Sequence, residues 1–154
     1  MIQLHRAEYA DCPLLHRIQV RSFRGLLEKY QDFETNPAAE GLEKIHARYA
    51  QAYTTYYLIT VSGDPVGMVR VCDLGSTCRV SPICVLPEFQ GRGYASQAML
   101  ELERSYPSAK CWELDTIAQE ENLCRFYEKL SYRRTGQPHR IKEGMDLVSY
   151  RKQL

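Results

Sequence analysis

Val85-Leu86-Pro87-Glu88-Phe89-Gln90-Gly91-Arg92-Gly93-Tyr94-Ala95 is the stretch whose reading decides the fold. An apolar run ending at Leu86 feeds a short glycine-bearing bend. The bend opens onto Ala95, Ala98, Met99 and Leu102 at helical spacing. The first N–H groups of a helix lack intrahelical partners and sit at the positive end of its dipole. Such a bend binds phosphate without any charged side chain. Gly91 and Gly93 let a ligand approach the backbone closely and permit positive φ. The pattern predicts a site for a diphosphate-bearing molecule on a strand–bend–helix unit.

Working outward, Cys78 to Leu86 reads as the strand before the bend. Pro82 lies inside it and cannot donate to a ladder, so the strand is bulged or leaves its neighbour there. Upstream, Tyr56–Val61 and Val66–Val71 flank Ser62-Gly63-Asp64-Pro65, a β-hairpin pattern. Leu42, Ile45 and Tyr49 mark one helix. Leu14, Leu15 and Ile18 mark another, which runs to about Lys29, with Asp11 as N-cap and Pro13 in the first turn. Residues 31–37 form a loop, and Ile2–Arg6 alternates as a first strand. Downstream, the helix after the bend ends before Pro107. Lys110–Ile117 alternates, with Trp112, Leu114 and Thr116 on one side and Glu113 and Asp115 on the other. Leu123, Phe126, Tyr127 and Leu130 give a further helix, then Gln137–Ile141 and Met145–Tyr150 give two strands. This order is an α/β domain with a mixed sheet, in which the Cys78–Ile117 unit is parallel and the hairpins antiparallel.

The 154 residues, 44% of them apolar and 25% charged, suit one domain spanning 1–154. No apolar stretch approaches 18 residues and the start turns polar at once, so the expected compartment is the cytoplasm, without membrane insertion. Net charge is +1 with no basic run, which argues against a nucleic-acid partner. The six cysteines include no Cys-x-x-Cys pair and no His at zinc spacing, so no metal is expected and the thiols read as buried hydrophobes. A dinucleotide fingerprint fails because Ser96 stands for the third glycine and Pro87–Gln90 separates strand from glycine. A Walker loop fails because no Gly-Lys-Ser/Thr occurs.

Gln90-Gly91-Arg92-Gly93-Tyr94-Ala95, preceded by Val85-x-Pro87, resembles the acetyl-CoA loop Gln/Arg-x-x-Gly-x-Gly/Ala of the GNAT superfamily of N-acetyltransferases. Arg125-Phe126-Tyr127-Glu128-Lys129-Leu130-Ser131-Tyr132 resembles that family's Phe-Tyr-Glu-Lys-Leu-Gly-Phe segment, with Ser131 for the glycine. Arg6-Ala7, Asp11 and Leu14-Leu15 fit its opening loosely. The resemblance covers nearly the whole chain. It implies a mostly antiparallel sheet of about seven strands, helices on both faces and a splayed central parallel pair.

The resemblance also implies transfer of an acetyl group from acetyl-CoA to a primary amine of a small molecule or peptide, by direct attack in a ternary complex. Ile83, Cys84 and Val85 would pair with the pantetheine arm, and an amide at Cys84 or Val85 would polarise the thioester carbonyl. Gln90, Gly91, Arg92, Gly93, Tyr94, Ala95 and Ser96 would hold the pyrophosphate, with Arg92, Arg125 or Lys129 near the 3′-phosphate. Tyr127 would protonate the leaving thiolate. The family often carries Asn seven residues before this tyrosine, facing CoA; here that residue is Glu120. Asn122, about 140° away from Tyr127 on a helix, is a CoA contact or the helix N-cap. Glu113, Asp115 and Asp73 are candidate bases. Arg21, Phe23, Arg24, Tyr30, Tyr53, Tyr56 and His139 are candidate walls for the amine. A non-catalytic acyl-CoA sensor or interaction module is the alternative. Strand pairing could give a homodimer, which the sequence neither requires nor excludes.

Overall fold

The computed structural model describes all 154 residues, Met1–Leu154. The elements run β1 (Gln3–Arg6), α1 (Cys12–Tyr30), α2 (Leu42–Tyr49), β2 (Thr54–Val61), β3 (Asp64–Asp73), β4 (Thr77–Val85), α3 (Tyr94–Ser105), β5 (Cys111–Ile117), α4 (Glu121–Lys129), β6 (Arg133–Lys142) and β7 (Met145–Gln153). The strands form one sheet in the order β1-β2-β3-β4-β5-β7-β6. Every pair is antiparallel except β4–β5. No helix is long and apolar enough to cross a membrane.

Alternation along the strands splits the core into two layers. Ile59, Val69, Val71, Val80 and Leu114 turn to α3 and α4, meeting Ala98, Met99, Leu102, Cys124 and Tyr127. Tyr56, Leu58, Met68 and Cys84 turn to α1 and α2, meeting Leu15, Ile18 and Ile45. Helices therefore cover both faces. All six cysteines are free and buried. The β2–β3 hairpin closes through Ser62 and Gly63, both at positive φ, with Val61 opposite Asp64. Asp11 does stand at the N-cap of α1, but its carboxylate accepts the Glu8 N–H at 2.8 Å instead of capping the helix. Strand β6 is longer than its sequence suggests. Nearly all its residues are exposed, so no alternation marks its ends.

The β4–β5 pairing is short. It spans Thr77 opposite Cys111 to Arg79 opposite Glu113 and then stops. On the other side of β4 the register shifts, Val69 facing Ile83 and Val71 facing Val80, so Ser81 and Pro82 form a bulge. This is the interruption Pro82 requires. Beyond it, β4 stays with β3 while β5 stays with β7, and a gap opens between the two parallel strands.

Burial also dictates a pH response. It holds the phenols of Tyr56, Tyr106, Tyr127, Tyr132 and Tyr150 above their ordinary range, and pushes the thiols of Cys78 and Cys84 up to about 11 and about 12. A folded pKa above the unfolded one gives stability that is complete below the unfolded value and lost as pH rises toward the folded one. Under reducing conditions, stability is expected to hold to about pH 8 and to fall by roughly 2 kcal/mol or more by about pH 11. Urea midpoints taken between pH 7.5 and 11 measure this; a flat series would contradict it.

Candidate active site

The bend builds one end of the site. Gly91 and Gly93 have φ of +78° and +80°, and Gly93 is the N-cap of α3. The first helical bond runs from the Gln97 N–H to the Gly93 carbonyl at 3.1 Å, and no amide from Gly91 to Ser96 donates to a backbone carbonyl. Six donors thus lie free of backbone partners at the positive end of a helix, with Tyr94, Ala95 and Ser96 in its first turn. A Cβ added at Gly91 meets nothing within 4 Å, so the space over the bend is open. Gln90 turns inward, its side-chain amide donating to the Val85 carbonyl at 2.9 Å. Arg92 lies over the Phe89 ring, 5.7 Å from its centroid.

The direction of the β4 backbone follows from its ladder. The Leu86 N–H donates to the Val66 carbonyl at 2.8 Å. The Cys84 carbonyl lies so close to Gly67 that a Cβ there would come within 2.3 Å of it. Ladder groups alternate along a strand, so Cys84 and Leu86 face β3 while Ile83 and Val85 face the gap. Of the two amides considered for a thioester carbonyl, that of Cys84 is therefore committed to β3. With its carbonyl taken by Gln90, Val85 presents an N–H.

A cavity of about 230 Å³ occupies the gap. Phe23 and Leu26 of α1, Leu123 and Tyr127 of α4, and Met145 and Leu147 of β7 supply its apolar walls. Val80, Ser81, Pro82 and Ile83 line one strand edge and Leu114 to Ile117 the other. Burial, with the Cys84 thiol adding to it, holds the Tyr127 phenol above its ordinary range, so it is neutral at physiological pH. Ser131 explains how the helix delivers this tyrosine. At φ +76° it fills the left-handed position usually held by glycine. The Ser131 N–H donates to the Glu128 carbonyl and the Tyr132 N–H to the Tyr127 carbonyl, both at 3.0 Å. These are the two bonds of a Schellman ending, and the Tyr132 ring meets the Tyr127 ring edge-on at 6.0 Å.

Three charged groups border the cavity. Asp115 accepts from the Arg79 guanidinium and, at 2.7 Å, from the Ser149 hydroxyl. Asp32 is buried and spent on its own turn, accepting the Glu34 and Thr35 amides at 3.2 and 3.1 Å. Neither Glu113 nor Asp73 lines the cavity, and Asp73 holds the Gly75 N–H in the β3–β4 turn. Among the seven residues considered for the amine-side wall, only Phe23 lines it. Arg21 instead pairs with Glu88 at 2.8 Å, and Tyr56 is buried under α2. Arg79 and the buried Arg70 escape a motif search. A lone arginine within the apolar run Val66–Cys72 is the signal that marks Arg70.

Asn122 does not cap its helix, which corrects that half of the sequence reading. The N-cap of α4 is Glu120, and Asn122, in the first turn, accepts from Arg125 at 2.9 Å on the surface. Glu120 is turned toward α1, where its carboxylate accepts from Lys29 at 2.7 Å and from the Tyr30 hydroxyl. Burial raises its pKa, but these two partners outweigh burial and hold it below the ordinary carboxylate range. Glu120 thus ties the end of α1 to the start of α4 beside the cavity.

The model of the acetyltransferase (GNAT) family matches residues 15–132. No curated protein matches the chain by sequence. Among solved structures, an acetyltransferase from Thermus thermophilus superposes with a TM-score of 0.77 at 18% identity, over 100% of this chain and 97% of that one. The ribosomal-protein-S18-alanine N-acetyltransferase of Escherichia coli gives 0.80 at 14%, over 99% and 94%. A GNAT family acetyltransferase from Elizabethkingia anophelis with acetyl-CoA bound gives 0.68 at 15%, over 99% and 98%. These likenesses describe the same fold. The family match runs from α1 through the bend to the tyrosine-bearing α4, and on that ground the chain belongs to the acetyltransferase (GNAT) family.

Proposed function

We propose that the protein is an N-acetyltransferase that moves an acetyl group from acetyl-CoA to a primary amine by direct attack in a ternary complex. One observation carries this reading. The amides of residues 91–96 have no backbone acceptor, the Val85 N–H faces the side of β4 away from β3, two residues beyond the cavity-lining Ile83, and Tyr127, its phenol neutral, lines the cavity between β4 and β5. Acetyl-CoA, when bound, supplies the thioester acyl group. The bend amides and the α3 dipole suit its pyrophosphate, and the open space over Gly91 leaves room for that group. The Val85 N–H is directed to stabilise negative charge on the acetyl oxygen. Tyr127 holds a proton that a departing thiolate needs. Asp115 is the one of the three candidate bases that lines the cavity. Held by Arg79 and Ser149, it attracts an ammonium group and accepts its proton through water. The buried thiol of Cys84, pushed up to about 12, is a poor nucleophile, which favours direct attack over a covalent acyl-enzyme.

The test is a thiol-release assay with acetyl-CoA across a panel of diamines, amino acids and peptides with free N-termini. Release that depends on one class of amine, with the acetyl group recovered on nitrogen, is expected. Tight acetyl-CoA binding without transfer to any amine would instead favour an acyl-CoA sensor.

A further inference from the structure

Arg70 is the lone charge in the buried centre of β3, only 8% exposed. A charge in such a place is costly unless it is well partnered, and an apolar residue of similar shape is often as stable. Its contacts say what it holds. Nη1 donates to the Ser81 carbonyl at 2.9 Å. Nη2 donates to Gln51 Oε1 at 3.3 Å, an atom that also accepts the Thr54 hydroxyl at 2.8 Å. Nε has no partner. The Ser81 carbonyl belongs to the β4 bulge, where the ladder has lapsed and Pro82 offers no N–H. Tyr56 stands opposite Arg70 on β2 and is itself fully buried, which confines the guanidinium. Ser81, Pro82 and Ile83 then lead along the cavity wall to Val85.

We infer that Arg70 is a positioning residue for acyl transfer, its guanidinium fastening the Ser81–Pro82 bulge so that β4 parts from β5 and turns the Val85 amide into the gap. This rests on the reading of β4 as the strand that meets the thioester. Arg70 touches no substrate; it acts through the path of the strand.

Calorimetric titration of the full chain with acetyl-CoA and with CoA tests it. Arg70→Met weakens acetyl-CoA binding about tenfold, the scale of one lost charge-assisted hydrogen bond. The loss is greater for acetyl-CoA than for CoA, because the Val85 amide meets the acetyl oxygen. Amide exchange quickens at residues 80–86 beyond any global change. Arg48→Met cuts two neighbouring bonds, those to Glu40 at 2.7 and 3.0 Å, without touching the bulge, and binds within twofold of wild type. Should Arg70→Met fail to fold, Arg70→Lys keeps the charge with one contact, and a threefold loss or more is expected. A folded Arg70→Met that binds acetyl-CoA within twofold of wild type overturns the inference, as does an equal loss in Arg48→Met. Wild-type protein that ignores acetyl-CoA overturns the reading of the strand instead, and exchange at residues 80–86 still reports whether Arg70 holds the bulge.

Discussion

Tyr127→Phe lowers kcat for amine-dependent thiol release by about 100-fold or more, within the usual range for removing a general acid. Acetyl-CoA affinity and thermal stability stay near wild type. The ring packs in the α3–α4 layer against Tyr132 and beside Tyr150, contacts that Phe keeps. The hydroxyl belongs to a residue of the cavity wall and is not among the buried polar atoms left without a partner, so its loss orphans nothing inside the core. The pH profile separates an acid from a packing tyrosine. Burial holds the phenol above its ordinary range, so it keeps its proton through the whole accessible alkaline limb. Wild-type kcat therefore shows no fall between about pH 8 and 10 from this group. The Phe variant, which must shed an unprotonated thiolate, loses least with acyl donors whose thiols are more acidic. Equal turnover of wild type and variant with acetyl-CoA would remove Tyr127 from the chemistry.

How far the sequence discloses this site depends on how local each feature is. The strand, the glycine bend and the α3 helix are contiguous, so their order and the positive φ at residues 91 and 93 can be read residue by residue. Pro82 announces a broken ladder because its missing N–H is a property of that residue alone. Arg79 meeting Asp115 requires knowing that β4 and β5 are parallel neighbours in one particular register. The bond from Arg70 to Ser81 depends on which way a bulge turns a carbonyl. The apolar wall of the cavity is the least legible part, because α1, α4 and β7 converge on it from distant parts of the chain. Asn122 misleads for a local reason. Asn is a favoured N-cap, but α4 begins earlier, at Glu121, and its cap residue spends its side chain on α1. A carboxylate facing Lys29 and Tyr30 there links two helices that both line the cavity.

Gly91→Val weakens acetyl-CoA binding by about 100-fold, equivalent to ~2.7 kcal/mol. Two effects act at once. Gly91 has φ of +78°, a region that a β-branched residue enters only with strain, so the bend shifts to relieve it. The new side chain also projects into space where no protein atom lies within 4 Å, the space proposed for the pyrophosphate. Losing two charge-assisted bonds from bend amides accounts for a loss of this size. Strain alone is controlled by Gly75→Val. Gly75 also has positive φ, +98°, and open space around its Cβ, but lies in the turn between β3 and β4. Both variants lose comparable thermal stability, and only Gly91→Val loses the ligand. The loss also shrinks with ligands that lack the diphosphate: acetyl-pantetheine binds both variants with equal affinity. If titration shows acetyl-CoA bound equally by the two, the exposed amides of the bend are not what grips its phosphates.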